Sequence, residues 1–102
     1  MDKLKPSQLL RLGSQQVYQI KDNYFVTDET LNIVGACAVG MMAIGKLGTT
    51  STKNCDHKDA VTEIELQLRG KHGIHSIDIF EANDTDSLTP EQIAQWLEER
   101  GA

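Results

Sequence analysis

The chain has 102 residues, of which 39% are hydrophobic and 25% are charged. This length fits one compact domain covering residues 1–102, and the composition is too apolar for a disordered protein. Fifteen acidic and ten basic residues give a net charge of −5. Because the basic residues are scattered along the chain rather than clustered, we expect no direct binding to nucleic acid.

The sequence contains no apolar segment typical of membrane targeting or insertion. The charged N-terminus leads into no apolar run, as a secretory signal would require. The longest uncharged stretch, residues 30–45, includes Thr30 and Asn32, and its apolar part is shorter than the roughly 18 residues that indicate a membrane span. We therefore expect no membrane association and a cytoplasmic location, where Cys37 and Cys55 would be reduced.

The first predicted element is a helix that begins after Pro6, with Ser7 at or near its start. Apolar residues recur at roughly helical spacing from Leu9 onwards, which predicts that the helix continues as far as Ile20.

A short β-hairpin is predicted next. Residues 24–26 and 31–34 are rich in aromatic and branched side chains, and they flank a polar turn at residues 28–30. Further along, residues 47–54 are rich in Gly, Thr and Ser, which indicates a surface loop.

Residues 36–47, between the hairpin and this loop, predict a buried helix. Gly40 lies on the same face of that helix as Ala36 and Ala43. Because all three side chains are small, we expect a neighbouring element to approach the helix backbone closely at this face.

The segment after the loop fits two structures. Residues 59–69 place apolar side chains on one face of a helix, but the alternation from Ile64 to Leu68 also fits a strand. Strong helix formers and a stop signal at Gly70 favour the helix. The alternative is a second hairpin that turns after Gly70, so the stretch from Ile64 to Phe80 stays open between the two.

The last predicted helix has the clearest signals. Thr89 is a good N-cap, Pro90 suits the first helical position, and Gln92 completes a capping box. Gly101 is expected to end the helix. One side of it carries Ile93, Trp96, Leu97 and Arg100.

Together these elements predict a mainly α fold with a small β-hairpin (α+β), in which four or five short helices surround one core. The residues expected in that core are apolar and come from every predicted element. They are Leu9, Leu12, Val17, Ile33, Val39, Ile44, Ile64, Ile77, Ile93 and Leu97.

Cys37 is a candidate nucleophile. It lies near a predicted helix N-terminus, which lowers the pKa of a thiol, but a catalytic cysteine also needs a histidine base. His57, His72 and His75 are the available partners, and all are distant in sequence. We therefore expect Cys37 to be a core residue, and we assign no catalytic residues and no cofactor.

Two groups of residues resemble parts of metal sites. Cys55 and His57, with His72 and His75, contain the ligand types that zinc prefers, but their spacing matches no common zinc motif. Residues 83–86 resemble the start of a calcium loop but lack the glycine and glutamate needed at its sixth and twelfth positions. We expect no metal, and we expect residues 83–86 to cap and turn the backbone.

Three short motifs carry a resemblance to other proteins. They are Val-Gly-Ala-Cys-Ala-Val-Gly-Met-Met at 34–42, Asn83-Asp84, and Ile-Ala-Gln-Trp-Leu at 93–97. In this combination the chain resembles, in patches from Tyr24 to Glu99, a loose group of small uncharacterised phage and bacterial proteins. The resemblance implies a compact helical fold with a small hairpin, and it implies no activity.

The expected function is that of a non-enzymatic accessory or protein-binding domain, because each catalytic motif lacks a partner. One alternative is a phage-type inhibitor that occupies a basic nucleic-acid-binding groove, and another is an enzyme that depends on Cys37. The inhibitor hypothesis depends on seven acids that occur without a Lys or Arg between them. They are Asp78, Glu81, Asp84, Asp86, Glu91, Glu98 and Glu99, and their field would steer a basic partner. The favoured interpretation of these acids is a solvated helix face that maintains solubility. Partner identity and oligomeric state are not predicted.

Overall fold

The computed structural model describes residues 4–53 and 56–102. Over these residues the fold is mainly helical with a small sheet, which confirms the predicted α+β class. The elements in chain order are α1 (Pro6–Ser14), β1 (Tyr18–Gln19), β2 (Phe25–Thr27), β3 (Ile33–Ala36), α2 (Ala38–Leu47), α3 (His57–His72), α4 (Ser76–Phe80), a π-helical turn (Glu81–Thr85) and α5 (Pro90–Glu99).

Helix α1 is shorter than the sequence pattern predicted. It ends at Ser14, whose hydroxyl donates to the carbonyl of Arg11 at 2.8 Å. Residues 18–19 form the unpredicted strand β1, which pairs in parallel with β3. Two residues are too few to show the alternation that marks a strand, so the apolar spacing up to Ile20 resembled more helix.

The predicted hairpin is confirmed as β2 and β3, which pair antiparallel in a sheet ordered β1-β3-β2. Strand β3 continues to Ala36, so α2 begins at Ala38 rather than at residue 36. The predicted close approach at Gly40 is also confirmed, since a Cβ atom there would overlap the carbonyl oxygen of Tyr24.

Helices α1 and α2 pack at backbone distance. A Cβ atom on Gly13 would overlap the carbonyl of Met41, and one on Gly45 would overlap the carbonyl of Leu9. Each helix therefore places a glycine against the main chain of the other. Both helices contribute buried residues to the hydrophobic core.

The segment from Ile64 to Phe80 is helical, and the alternative of a second hairpin is wrong. Gly70 lies inside α3 rather than at its end. Helix α3 ends at Gly73, whose φ of 64° is the left-handed conformation that glycine adopts without strain. Asp56 caps the start of α3 by accepting the N–H of Asp59 at 3.0 Å.

Helix α5 follows the predicted capping signals. The Thr89 hydroxyl accepts the N–H of Gln92 at 3.2 Å, and the Gln92 side chain accepts the N–H of Thr89 at 2.9 Å. Among the described residues no helix is both long and apolar enough to cross a membrane.

Most of the predicted core residues are buried, but two are not. Leu12 is 40% exposed and Ile77 is 62% exposed. Leu12 in α1 and Ile77 in the short helix α4 therefore lie at the surface. The remaining predicted core residues are Leu9, Val17, Ile33, Val39, Ile44, Ile64, Ile93 and Leu97, and all are buried.

Candidate functional site

A cleft with apolar walls lies between strand β2 and the first half of helix α3. We call it the Tyr24–His57 cleft, and its volume is about 630 Å³. Its walls combine aromatic and branched apolar side chains with neutral polar and charged ones. The lining residues are Asn23, Tyr24, Phe25, Thr27, Ile33, Thr52, Asp56, His57, Lys58, Val61, Thr62 and Glu65.

The α3 wall of the cleft is one continuous face of that helix. His57, Val61 and Glu65 are four residues apart, so their side chains lie above one another. At the Glu65 end, the Tyr24 hydroxyl donates to Oε2 of Glu65 across the cleft at 3.2 Å. Burial and the nearby negative charge of Glu65 raise the pKa of Tyr24 to about 12. The phenol is therefore neutral and remains a hydrogen-bond donor near neutral pH.

His57 forms the opposite end of the same wall and is 5% exposed. Its Nε2 lies 2.8 Å from the carbonyl oxygen of Thr49. Because a carbonyl only accepts, Nε2 carries a proton. Nδ1 has no hydrogen-bond partner among the described residues. The imidazole meets the ring of Phe25 edge to face, with 5.7 Å between ring centroids, and so links α3 to β2.

Cys37 lies outside this cleft, at the N-cap of α2. It is 3% exposed, and burial raises the pKa of its thiol. Within residues 4–53 and 56–102, no hydrogen bond joins its sulfur to an imidazole. A buried neutral thiol is a poor nucleophile, so the geometry gives no support to the Cys37 enzyme hypothesis.

The histidines among the candidate zinc ligands do not converge. His57 and His72 are the first and last residues of α3, which places them about 22 Å apart along its axis. His75 is exposed before α4, and Cys55 lies outside the described residues. The part of the chain that the structure describes holds no group of three or more His, Cys, Asp or Glu side chains able to hold a metal ion.

Asn83 satisfies backbone groups, as predicted for this segment, but those groups are distant in sequence. It is fully buried in the π-helical turn. Its Oδ1 accepts the N–H of Ala38 at 3.1 Å and the Nε2 donor of Gln19 at 2.8 Å. Its Nδ2 donates to the carbonyl of Ile20 at 2.8 Å and to Oδ1 of Asp84. Asn83 therefore joins the turn to α2 and to the end of β1.

The seven C-terminal acids do not form one free negative surface. The Arg11 guanidinium lies between Glu91 and Glu98, with donor–acceptor distances of 2.7 to 3.2 Å. These hydrogen bonds lower the pKa of both carboxyl groups. Arg11, which the sequence analysis did not consider, thus pairs with two of the seven and offsets one of their negative charges. The sequence pattern could not predict this pairing because 80 residues separate Arg11 from Glu91.

A second, acidic groove lies at the other end of α3. Asp78, Glu81 and Asp86 line it together with Trp96 and Arg100. The Arg100 guanidinium lies 3.8 Å from the centroid of the Trp96 ring, so this tryptophan is partly covered by a cation. The groove thus contains three of the five acids that do not pair with Arg11.

Comparisons with protein-family models, with curated proteins and with solved structures found no significant match to this chain.

Proposed function

We propose that the protein is a non-enzymatic binding domain and that the Tyr24–His57 cleft is where it holds its partner. The composition of the cleft supports this proposal, because the cleft is large, has apolar walls and contains polar groups along its length. Ligand sites in proteins have this combination of apolar walls and a few oriented polar groups. A binding role also agrees with the buried, neutral state of Cys37.

The hydrogen bonds of the lining side chains favour binding of a protein partner over catalysis in this cleft. Tyr24 and Glu65 are bonded to each other, and His57 donates to the Thr49 carbonyl. These hydrogen bonds fix the three side chains as structural parts of the cleft walls. Among the described residues, none of these groups hydrogen-bonds to a nucleophilic side chain, as a base that activates a nucleophile would.

The proposal is tested by selecting from a random dodecapeptide library on the wild-type protein. Thr62 is exposed and lines the cleft, so Thr62→Trp should fill it and weaken selected peptides by about tenfold or more. Leu66 is 56% exposed on the same helix and does not line the cleft, so Leu66→Trp is the matched control. Failure to select any peptide, or equal binding to both variants, would defeat the proposal.

An inhibitor of a basic nucleic-acid-binding protein is the second candidate function. It is supported by the acidic groove of Asp78, Glu81 and Asp86, and by the resemblance to phage proteins noted in the sequence. The test replaces these three acids with Asn or Gln and measures inhibition of such a protein at low and moderate salt. The triple variant should lose both inhibition and its salt dependence, and an unchanged salt dependence would exclude this candidate.

A further inference from the structure

We propose that the Tyr24–His57 cleft binds a short, extended, basic segment of a partner protein, which adds a strand to the edge of β2 that pairs with no other described strand. This inference rests on the proposed function, since it names the mode of binding and the chemistry of the partner at the same cleft. It depends on three observations, which are the register of the sheet, the length of the α3 wall and the charge around the cleft.

The register shows which backbone groups of β2 face the cleft. Tyr24 accepts the N–H of Cys37 at 3.2 Å, so Tyr24 faces β3. The next residue, Phe25, lies opposite Ala36, whose carbonyl accepts the N–H of Ile20 on the far side of β3 at 3.0 Å. Because antiparallel pairs alternate between bonded and non-bonded positions, the N–H and C=O of Phe25 point away from β3.

Thr27 also points away from β3, although the register of the pair shifts between Val26 and Thr27. Asp28 donates its N–H to the carbonyl of Asn32 at 2.9 Å, so Asp28 faces β3 and Thr27 faces outward. Phe25 and Thr27 both line the cleft. Two outward residues at a spacing of two provide two donors and two acceptors, which is the pattern that an added strand pairs with.

The α3 wall sets the length of the segment. From His57 to Glu65 the helix rises about 12 Å. An extended peptide rises about 3.3 Å per residue, so about four residues span the cleft. Alternate side chains of such a segment would point toward the apolar surface of Ile33 and Val61, and the others would point to solvent.

The charges around the cleft favour a basic segment. Asp56 and Glu65 line it on the α3 side, and Asp28 and Glu29 follow directly after β2. Lys58 is the basic residue among the lining side chains. Lys53 follows the lining residue Thr52 in the same way. Four carboxylates against two ammonium groups give a negative rim, which attracts Lys or Arg residues on the partner and repels acidic segments.

Amide hydrogen exchange of the protein tests this mode of binding directly. The probe is the tightest dodecapeptide selected on the wild type and weakened by Thr62→Trp. At a peptide concentration 100 times its Kd, exchange of the Phe25 amide should slow by about 100-fold. The Val26 amide, which faces β3, should change far less. Equal protection of both amides, or of neither, would overturn strand addition.

Backbone methylation of the same peptide provides the matched chemical test. N-methylation removes one donor, so it should weaken binding at alternate positions only, and selected peptides should be enriched in Lys and Arg. If methylation has no effect while Thr62→Trp still abolishes binding, the cleft binds peptides in another way, and only this inference fails. A stable dimer in sedimentation that Thr62→Trp dissociates would instead identify a second copy of the chain as the occupant.

Discussion

The side-chain oxygen of Asn83 accepts the backbone N–H of Ala38 at 3.1 Å, although 45 residues separate them. Ala38 is the first residue of α2, so its N–H has no acceptor within the helix. An interior asparagine thus completes the start of the helix that forms the centre of the core. The same amide also bonds Ile20 and Gln19, which connects α2 to the strand β1.

Asn83→Ala should lower the free energy of unfolding by about 3 kcal/mol. The substitution leaves the Ala38 N–H and the Ile20 carbonyl without their partner, and an orphaned buried polar group costs about 1–3 kcal/mol. Chemical denaturation measures the change. Asn23→Ala is the control, because Asn23 is exposed and should change stability by less than about 0.5 kcal/mol. Equal effects of the two substitutions would contradict the role of Asn83.

Gly13→Ala should be strongly destabilising, by about 3 kcal/mol. The new methyl group would overlap the main chain of Met41, and backbone atoms cannot move aside as a flexible side chain can. Gly70→Ala is the matched control within a helix. A Cβ atom at Gly70 meets no atom within 4 Å, so this change should stabilise α3 by about 0.5–1 kcal/mol. Thermal unfolding of both variants tests the opposite signs.

The fold was largely predictable where the signals were local. The capping box of Thr89 and Gln92, the polar turn between β2 and β3, and the helix formers of α3 all act within a few residues of one another. Such signals depend on backbone groups that neighbouring side chains satisfy directly.

The candidate site was not predictable, because its parts come together through the fold. The cleft combines Tyr24 with His57 and Glu65, which lie on elements separated by the whole of α2. Arg11 pairs with Glu91 and Glu98 from the other end of the chain. Distances of this kind depend on how α1, α3 and α5 pack, and no spacing in the sequence encodes them.

The pairing of Arg11 with Glu91 and Glu98 should make stability depend on pH in the acidic range. The pKa of each carboxyl group lies below its ordinary value of 4.5 in the folded protein. The contribution of the pair is therefore fully present above about pH 4.5 and is lost as the pH falls through the lowered folded values. Arg11→Gln should reduce stability at neutral pH and should reduce it much less in strong acid.

Urea unfolding at several pH values measures this dependence. Arg69→Gln removes the same charge from an exposed position on α3 and is the matched control. If both variants lose the same stability at every pH, the loss is caused by the change in net charge and not by the ion pairs of Arg11.

Tyr24 should ionise well above the usual range of a phenol. Its pKa of about 12, against an ordinary value of 10.0, follows from burial and from the charge of Glu65. Because the folded protein favours the neutral phenol, this contribution to stability is present below pH 10 and is lost as the pH rises toward 12. Tyrosinate absorbance, taken as the difference between wild type and Tyr24→Phe, reports the titration. Glu65→Gln should move it back toward 10.

Cys37 should react slowly with iodoacetamide in the folded protein. Alkylation requires an accessible thiolate, whereas this sulfur is buried and the pKa of its thiol is raised. In a Cys55→Ser background, which leaves Cys37 as the single thiol, alkylation near pH 8 should be about 100-fold slower in the folded protein than in urea. A Cys37→Ala, Cys55→Ser protein provides the background rate. If folded and unfolded proteins react at similar rates, the thiolate is accessible in solution. That outcome would support the hypothesis of a Cys37-dependent enzyme, and substitutions of His57 would then test whether this histidine is the base.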